Sequence, residues 1–311
     1  MNENILILEP DNFPSSSKIL LNENGFKVLF NDNKSDYTES EVHYIFVRLG
    51  FYIDKKFLSS YKNLKAIVSA TTGVTHIDSK VRKEIKIIKI EEDDSFINKI
   101  TPTAEHAVLL SLMAQRNIKH ILNNSEKDFR RPDHTKGTMV DKKVLIFGNG
   151  RIGKHVDRLI SSFTNKRSIF YDILPERSDI SYDTMLSLLP SFDIIFLCIK
   201  LNKKIVFSKK LIDKVSNQGI IVNISRGEII DEQSILKKIK ANKNFFYCTD
   251  VLDQEHNFIN NELFINNSAF SNIIITPHIG GYCRESLCYV EEELVKKFLI
   301  LHKNNNHFNN L

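Results

Sequence analysis

The sequence predicts an α/β protein built from two doubly wound parallel-sheet domains, and three observations carry that reading. Short apolar runs alternate with helix-length stretches from residue 4 to 90, and the same rhythm resumes at residue 143. The runs are near-continuous rather than alternating, as strands covered on both faces must be. A glycine loop, Gly148-Asn149-Gly150-Arg151-Ile152-Gly153, follows one run directly and opens a helix. A chain of 311 residues is also long enough for two cores.

In the first set, Ile5–Leu8, Lys27–Phe30, Tyr44–Val47, Ala66–Val68 and Ile85–Ile88 read as strands. A long helix begins at Thr101-Pro102-Thr103, a capping hydroxyl before a first-turn proline, with Val108, Leu109, Leu112 and Met113 on one stripe. The second set comprises Lys143–Phe147, Ser168–Tyr171, Asp193–Ile199, Gly219–Asn223, Phe245–Val251 and Asn272–Thr276, with a helix over His155–Phe163. The last helix runs from about Arg284, aligning Leu287, Val290, Leu294, Phe298 and Leu301. The two long helices are placed to carry the chain between domains. The expected division is a first domain of residues 1–99 completed by 283–311, and a second domain of 100–282, with a cleft between them. The tail from Lys303 to Leu311 reads as frayed.

Composition narrows the function classes. The longest apolar run, Ile194–Ile199, is far too short to span a bilayer, so no membrane association is expected. The net charge of +5 is scattered rather than gathered on one face, which argues against nucleic acid. The N-terminus lacks a basic-then-apolar leader, and four cysteines make no C-x-x-C pair, so a cytoplasmic setting is expected. Cys283 and Cys288 read as packing residues and His106 as a helix-start residue; no metal site is expected.

The glycine loop carries the strongest chemical signal. Gly148 permits the tight turn, Gly150 lets backbone approach a pyrophosphate, and Gly153 lets helix and strand pack closely. The helix start then offers free N–H groups and a positive dipole end to the phosphates. Asp172 ends the next strand, nineteen residues after Gly153, where a carboxylate meets ribose hydroxyls and repels a 2′-phosphate. NAD is therefore favoured over NADP, although Arg177 could blunt that repulsion if its loop folds back. Three polar segments begin at strand ends downstream: Asn223–Gly227, Asp250–Glu255 and Thr276–Gly281. They supply Arg226, Glu255 and His278, a set suited to hydride exchange at a carbonyl. The arginine fork binds a carboxylate, histidine moves the hydroxyl proton, and glutamate orients it.

These motifs, together with Thr71–Asp78 and Thr101–His106, resemble the D-isomer-specific 2-hydroxyacid dehydrogenases, and most the phosphoglycerate-dehydrogenase-like branch. The separations of 29 residues from Arg226 to Glu255 and 52 to His278 are similar to those of the family. The resemblance implies a Rossmann NAD domain inserted into a flavodoxin-like substrate domain. It implies Arg226, Glu255 and His278 as catalytic residues, with Arg226 holding the substrate carboxylate and keto oxygen. It places Gly148, Gly150, Arg151, Ile152, Gly153, Asp172, Cys198, Ile224, Ser225, Arg226, Asp250, His278 and Gly281 around NAD, with Asp250 on the nicotinamide amide. It gives Arg48, Thr72 and Gly73 to the substrate, a small 2-hydroxy or 2-keto acid, and a homodimer by analogy. The chain departs from the family at Cys198-Ile199-Lys200-Leu201, often His-x-Pro-Leu, and at Thr71, often glycine. The usual tryptophan is missing near Phe129-Arg130-Arg131-Pro132, and no C-terminal regulatory domain is expected. The implied activity is NAD-dependent interconversion of a D-2-hydroxy acid and its keto acid, 3-phosphoglycerate-dehydrogenase-like. A glyoxylate/hydroxypyruvate reductase and a non-catalytic NAD-responsive binding protein of the same fold remain alternatives.

Overall fold

A computed structural model describes residues 3–91, 94–124, 137–200 and 206–304. In chain order the elements are β1 (Asn4–Ile7), α1 (Ser15–Glu23), β2 (Lys27–Phe30), β3 (Val42–Val47), β4 (Ala66–Ser69), α2 (Val81–Glu84) and β5 (Lys86–Lys89). Then come α3 (Pro102–Gln115), α4 (Ile118–Asn124), β6 (Val144–Phe147), α5 (Arg151–Thr164), β7 (Ile169–Tyr171), α6 (Tyr182–Leu188), β8 (Ile194–Leu197) and α7 (Lys209–Lys214). The chain closes with β9 (Ile220–Asn223), α8 (Glu232–Ala241), β10 (Phe246–Thr249), α9 (Glu262–Asn266), β11 (Ile273–Ile275) and α10 (Arg284–Asn304). Two compact units result, Met1–Ile100 with Tyr282–Leu311, and Thr101–Gly281.

The first unit holds a five-stranded parallel sheet in the order β2-β1-β3-β4-β5. Its strands read as unbroken apolar runs because each face has its own core. Ile5, Ile7, Tyr44, Phe46 and Val68 face α1 and α10, whereas Leu6, Leu8, Ile45, Val47 and Ile67 face Ile77 and Val81. Phe298 of α10 is fully buried and meets the rings of Phe26, Tyr44 and Phe46 at 5.4, 5.0 and 5.5 Å. Burying such a ring contributes roughly 1.5–3 kcal/mol, which anchors the C-terminal helix to this unit.

The second unit holds a six-stranded parallel sheet in the order β11-β10-β9-β8-β6-β7. Strand order reverses between β6 and β8, which opens a crevice at their carboxyl ends. Relative to the six-strand dinucleotide order, no further strand follows β7 at that edge among the described residues. Val144 and Ile146 point to one core, Leu145 and Phe147 to the other.

Two helical expectations need correction. Thr101 makes no backbone cap; its hydroxyl donates to Glu105 Oε1 at 2.5 Å, because its own backbone is already helical. The buried face of α3 is Ala104, Ala107, Val108, Leu110, Ser111 and Ala114, while Leu109 is half exposed. Small residues win this face because α3 packs against α5, β9 and β10 at once. The strands of the second unit are also shorter than their apolar runs, and α5 begins at Arg151 rather than His155. Phe129–Pro132, Leu201 and the tail beyond Asn304 lie outside the described residues. No helix among the described residues is long and apolar enough to cross a membrane.

Candidate active site

The glycine loop joins β6 to α5, and each glycine answers a different requirement. Gly148 has φ +112°, and a Cβ there would sit 2.7 Å from the Cys198 carbonyl oxygen. At Gly153 a Cβ would come within 2.2 Å of the Gly148 oxygen, so helix and strand touch only without it. At Gly150, the N-cap of α5, a Cβ would meet nothing within 4 Å. No side chain caps the first turn of α5 by a hydrogen bond. That arrangement fits a dinucleotide pyrophosphate, since backbone is exposed where phosphate must approach.

Asp172 is held at the same loop. Its Oδ2 accepts from Asn149 N at 2.8 Å and its Oδ1 from Leu174 N at 3.0 Å. The Asn149 side chain donates to the Arg177 carbonyl at 2.7 Å, so the turn carrying Arg177 does fold back onto the glycine loop. Arg151 and Ile152, both half-buried, open α5. Cys198 ends β8 with its N–H on the Phe147 carbonyl, and burial pushes its thiol far above the usual range, so it forms wall rather than nucleophile. Ile224 is buried, and Ser225 Oγ donates to the Leu197 carbonyl at 2.5 Å.

Arg226 follows β9 on a turn built by Asn223. The fully buried Asn223 amide donates to the Arg226 carbonyl at 2.9 Å and accepts from Ser225 N at 3.1 Å. Arg226 Nη1 donates to the Ser225 carbonyl at 2.6 Å. Gly227 then packs so closely that a Cβ would lie 1.9 Å from Leu252 C and 2.0 Å from Asp253 N. That contact sets the Arg226 turn against the loop bearing Glu255. Burial first, then Asp253 and Glu255, raise the Glu228 carboxyl, with Arg226 pulling the other way. Glu232 ties the same loop down by accepting from Asp253 N at 2.9 Å and Asn261 Nδ2 at 2.6 Å.

Glu255 and His278 come together: Oε2 lies 2.7 Å from Nδ1. Glu255 Oε1 also accepts from Leu252 N at 3.3 Å. His278 has φ +55°, a left-handed conformation that costs a non-glycine residue roughly 1–3 kcal/mol. Asp250 holds that turn. Only 3% exposed, it accepts from Ile279 N at 2.8 Å, Gly280 N at 2.6 Å and Thr276 Oγ1 at 2.6 Å. His106 Nε2 lies 2.9 Å from Thr276 Oγ1 and 3.5 Å from Asp250 Oδ1. Burial alone would raise the Asp250 carboxyl; its bonds to His106, Thr276, Gly280 and Ile279 bring it below the usual range. Gly281 is exposed, with Thr103 Oγ1 3.6 Å from where its Cβ would be.

In the first unit, Thr71 turns its hydroxyl inward, donating to the Gly73 carbonyl at 2.7 Å and pairing with Ser69 Oγ at 2.7 Å. The residue that departs from a common glycine therefore braces the Thr72–Gly73 loop. Arg48, given to the substrate by resemblance, is 3% exposed and donates through Nε to Glu291 Oε1 at 2.7 Å. Sequence reasoning also passed over the roles of Asn223, His106, Thr276, Glu232 and Glu291. Asn223, Thr276 and His106 lay inside motifs, but the partners of His106, Glu232 and Glu291 come from distant chain segments.

Comparison with known proteins identifies the family. The model of the D-isomer specific 2-hydroxyacid dehydrogenase, NAD binding domain, matches residues 108–280. A D-specific alpha-keto acid dehydrogenase of Enterococcus faecium is 27% identical over 263 residues, covering 78% of this chain and 78% of that protein. A D-3-phosphoglycerate dehydrogenase of Archaeoglobus fulgidus is 28% identical over 253 residues, covering 78% of this chain but 46% of its own length. The crystal structure of a D-lactate dehydrogenase from Aquifex aeolicus, complexed with NAD and lactic acid, superposes with a TM-score of 0.75 at 21% identity, covering 99% of this chain and 97% of that one.

Proposed function

The chain belongs to the D-isomer-specific 2-hydroxyacid dehydrogenases, NAD-dependent oxidoreductases acting on CH–OH groups, and on that premise we propose that Arg226, Glu255 and His278 interconvert a small D-2-hydroxy acid and its 2-keto acid. The observation that carries the residue assignment is the 2.7 Å contact between Glu255 Oε2 and His278 Nδ1 on a turn adjoining Asp250. With Nδ1 engaged, Nε2 is the nitrogen left to exchange a proton with the substrate oxygen.

When bound, the nicotinamide supplies the hydride that reaches the carbonyl carbon. Arg226 stabilises the negative charge that grows on the carbonyl oxygen and grips the carboxylate. His278 delivers the proton to that oxygen, and Glu255 fixes the orientation of the ring. The glycine loop and the start of α5 take the pyrophosphate, Asp172 the adenosine ribose, and Ile224, Ser225, Cys198 and Gly281 line the cofactor. Asp250, given to the nicotinamide amide by resemblance, has its oxygens engaged by four groups of its own unit, so we assign it first to holding the His278 turn. Thr72 and Gly73 offer backbone to the substrate. Residues 1–99 with 283–311 form the substrate domain of this reading and 100–282 the NAD domain. A homodimer in the cytoplasm completes it, the four free cysteines suiting a reducing compartment.

A panel of 2-keto acids with NADH tests the reading. NADH oxidation with at least one small keto acid, yielding the D-hydroxy acid, is the expected result. NADH binding without turnover of any of them would favour a non-catalytic, NAD-responsive protein.

A further inference from the structure

The first sheet has its own switch point, between β1 and β3, and ligands of open α/β sheets sit outside the carboxyl ends at such points. Here Glu9, Arg48 and Ala70 follow β1, β3 and β4, and with Glu291 and apolar neighbours they line a cavity of about 10 Å³, enough for one water-sized group. Its charge is unusual for an anion site. Arg48 Nε donates to Glu291 Oε1 at 2.7 Å and Nη1 to Tyr282 Oη at 3.4 Å, with the guanidinium 5.8 Å from the Tyr282 ring centre. Glu9 closes the other side, accepting from Arg48 N at 2.6 Å and Gly50 N at 2.9 Å. One guanidinium thus faces two carboxylates, and no positive charge is left over for a phosphate.

Two atoms remain unmatched. Arg48 Nη2 and Glu291 Oε2 have no hydrogen-bond partner among the described residues, although the two residues are 3% and 4% exposed. A buried donor or acceptor without a partner is costly, so a group that satisfies both is preferred. A hydroxyl does so, accepting from Nη2 while donating to Oε2; a phosphate dianion offers nothing to Oε2 and is repelled by it. Ala70 lies directly before the braced Thr71–Gly73 loop, so this cavity adjoins the segment that holds substrate.

Resting on the reading that Thr72 and Gly73 contact the substrate, we infer that Glu291 is a specificity-determining residue: it neutralises Arg48, so that the enzyme takes 2-keto acids with a neutral, hydroxyl-bearing tail and refuses phosphorylated ones. This runs against the 3-phosphoglycerate-like expectation from sequence.

Hydroxypyruvate and its 3-phosphate, assayed with NADH, are the probes. A pH of about 8 keeps Glu291 ionised, because burial lifts its carboxyl to about 7 against the pull of Arg48. The wild-type kcat/KM for hydroxypyruvate should exceed that for the phosphate ester by roughly 100-fold or more. Glu291→Gln, and separately Glu9→Gln, should narrow that ratio about tenfold, through a lower KM for the ester. A wild-type enzyme that prefers the ester overturns the inference whether or not either variant folds, as does an unchanged ratio in a folded Glu291→Gln. No oxidation of NADH by any 2-keto acid overturns the underlying reading as well, and so is distinct from a preference for the ester.

Discussion

At the scale of single residues, the chemistry rests on one carboxylate and one imidazole. Glu255 Oε2 stands 2.7 Å from His278 Nδ1, a contact that fixes the ring and leaves Nε2 for the substrate oxygen. Glu255→Gln keeps the shape but not the charge of that partner, so it should retain part of the turnover with a lower kcat and a keto-acid KM near the wild-type value. An unchanged kcat would take Glu255 out of this role. Asp250 acts through structure instead. Its carboxyl lies below the usual range in the folded protein, so its contribution to stability is present above the unfolded value and is lost as pH falls through the folded one. Melting temperatures of wild type and Asp250→Asn should thus differ most near neutrality and converge in acid; a gap that widens in acid contradicts the clamp.

At the scale of elements, the turns carry more information than the strands. Gly227 and Gly150 make a matched pair of tests. An alanine at 227 would drive its Cβ to 1.9 Å from Leu252 C, so Gly227→Ala should lose about 3 kcal/mol or more in denaturant unfolding. An alanine at 150 meets no protein atom within 4 Å, so Gly150→Ala should unfold like wild type while binding NADH about tenfold more weakly. Equal NADH affinity in a folded Gly150→Ala would remove the pyrophosphate from this loop. The same turns explain what was legible beforehand. Strand β6, the glycine loop and Asp172 are consecutive in sequence, and glycine is demanded by local backbone geometry, so they could be read directly. Arg226, Glu255 and His278 could be proposed because each lies in a polar segment that begins at a strand end, at a spacing the family shares. The face of α3 could not, because three neighbours, not periodicity, decide which of its residues are covered.

At the scale of the molecule, pairings across long chain distances were invisible. Arg48 read from the sequence as a substrate residue, and only folding brings Glu291 of α10, 243 positions away, to its Nε. His106 looked like an ordinary helix-start residue until β11 delivered Thr276 to its ring at 2.9 Å. Sequence patterning reports what a segment buries; it does not report who the partner is. The most direct trial of the account is the turnover of His278→Ala with a keto acid that the wild type reduces, measured beside its affinity for NADH. Loss of roughly 10²–10⁴ in kcat with NADH affinity nearly intact is the predicted result, that being the usual worth of a positioned acid–base group. Turnover near the wild-type rate would contradict the assignment of the whole catalytic set.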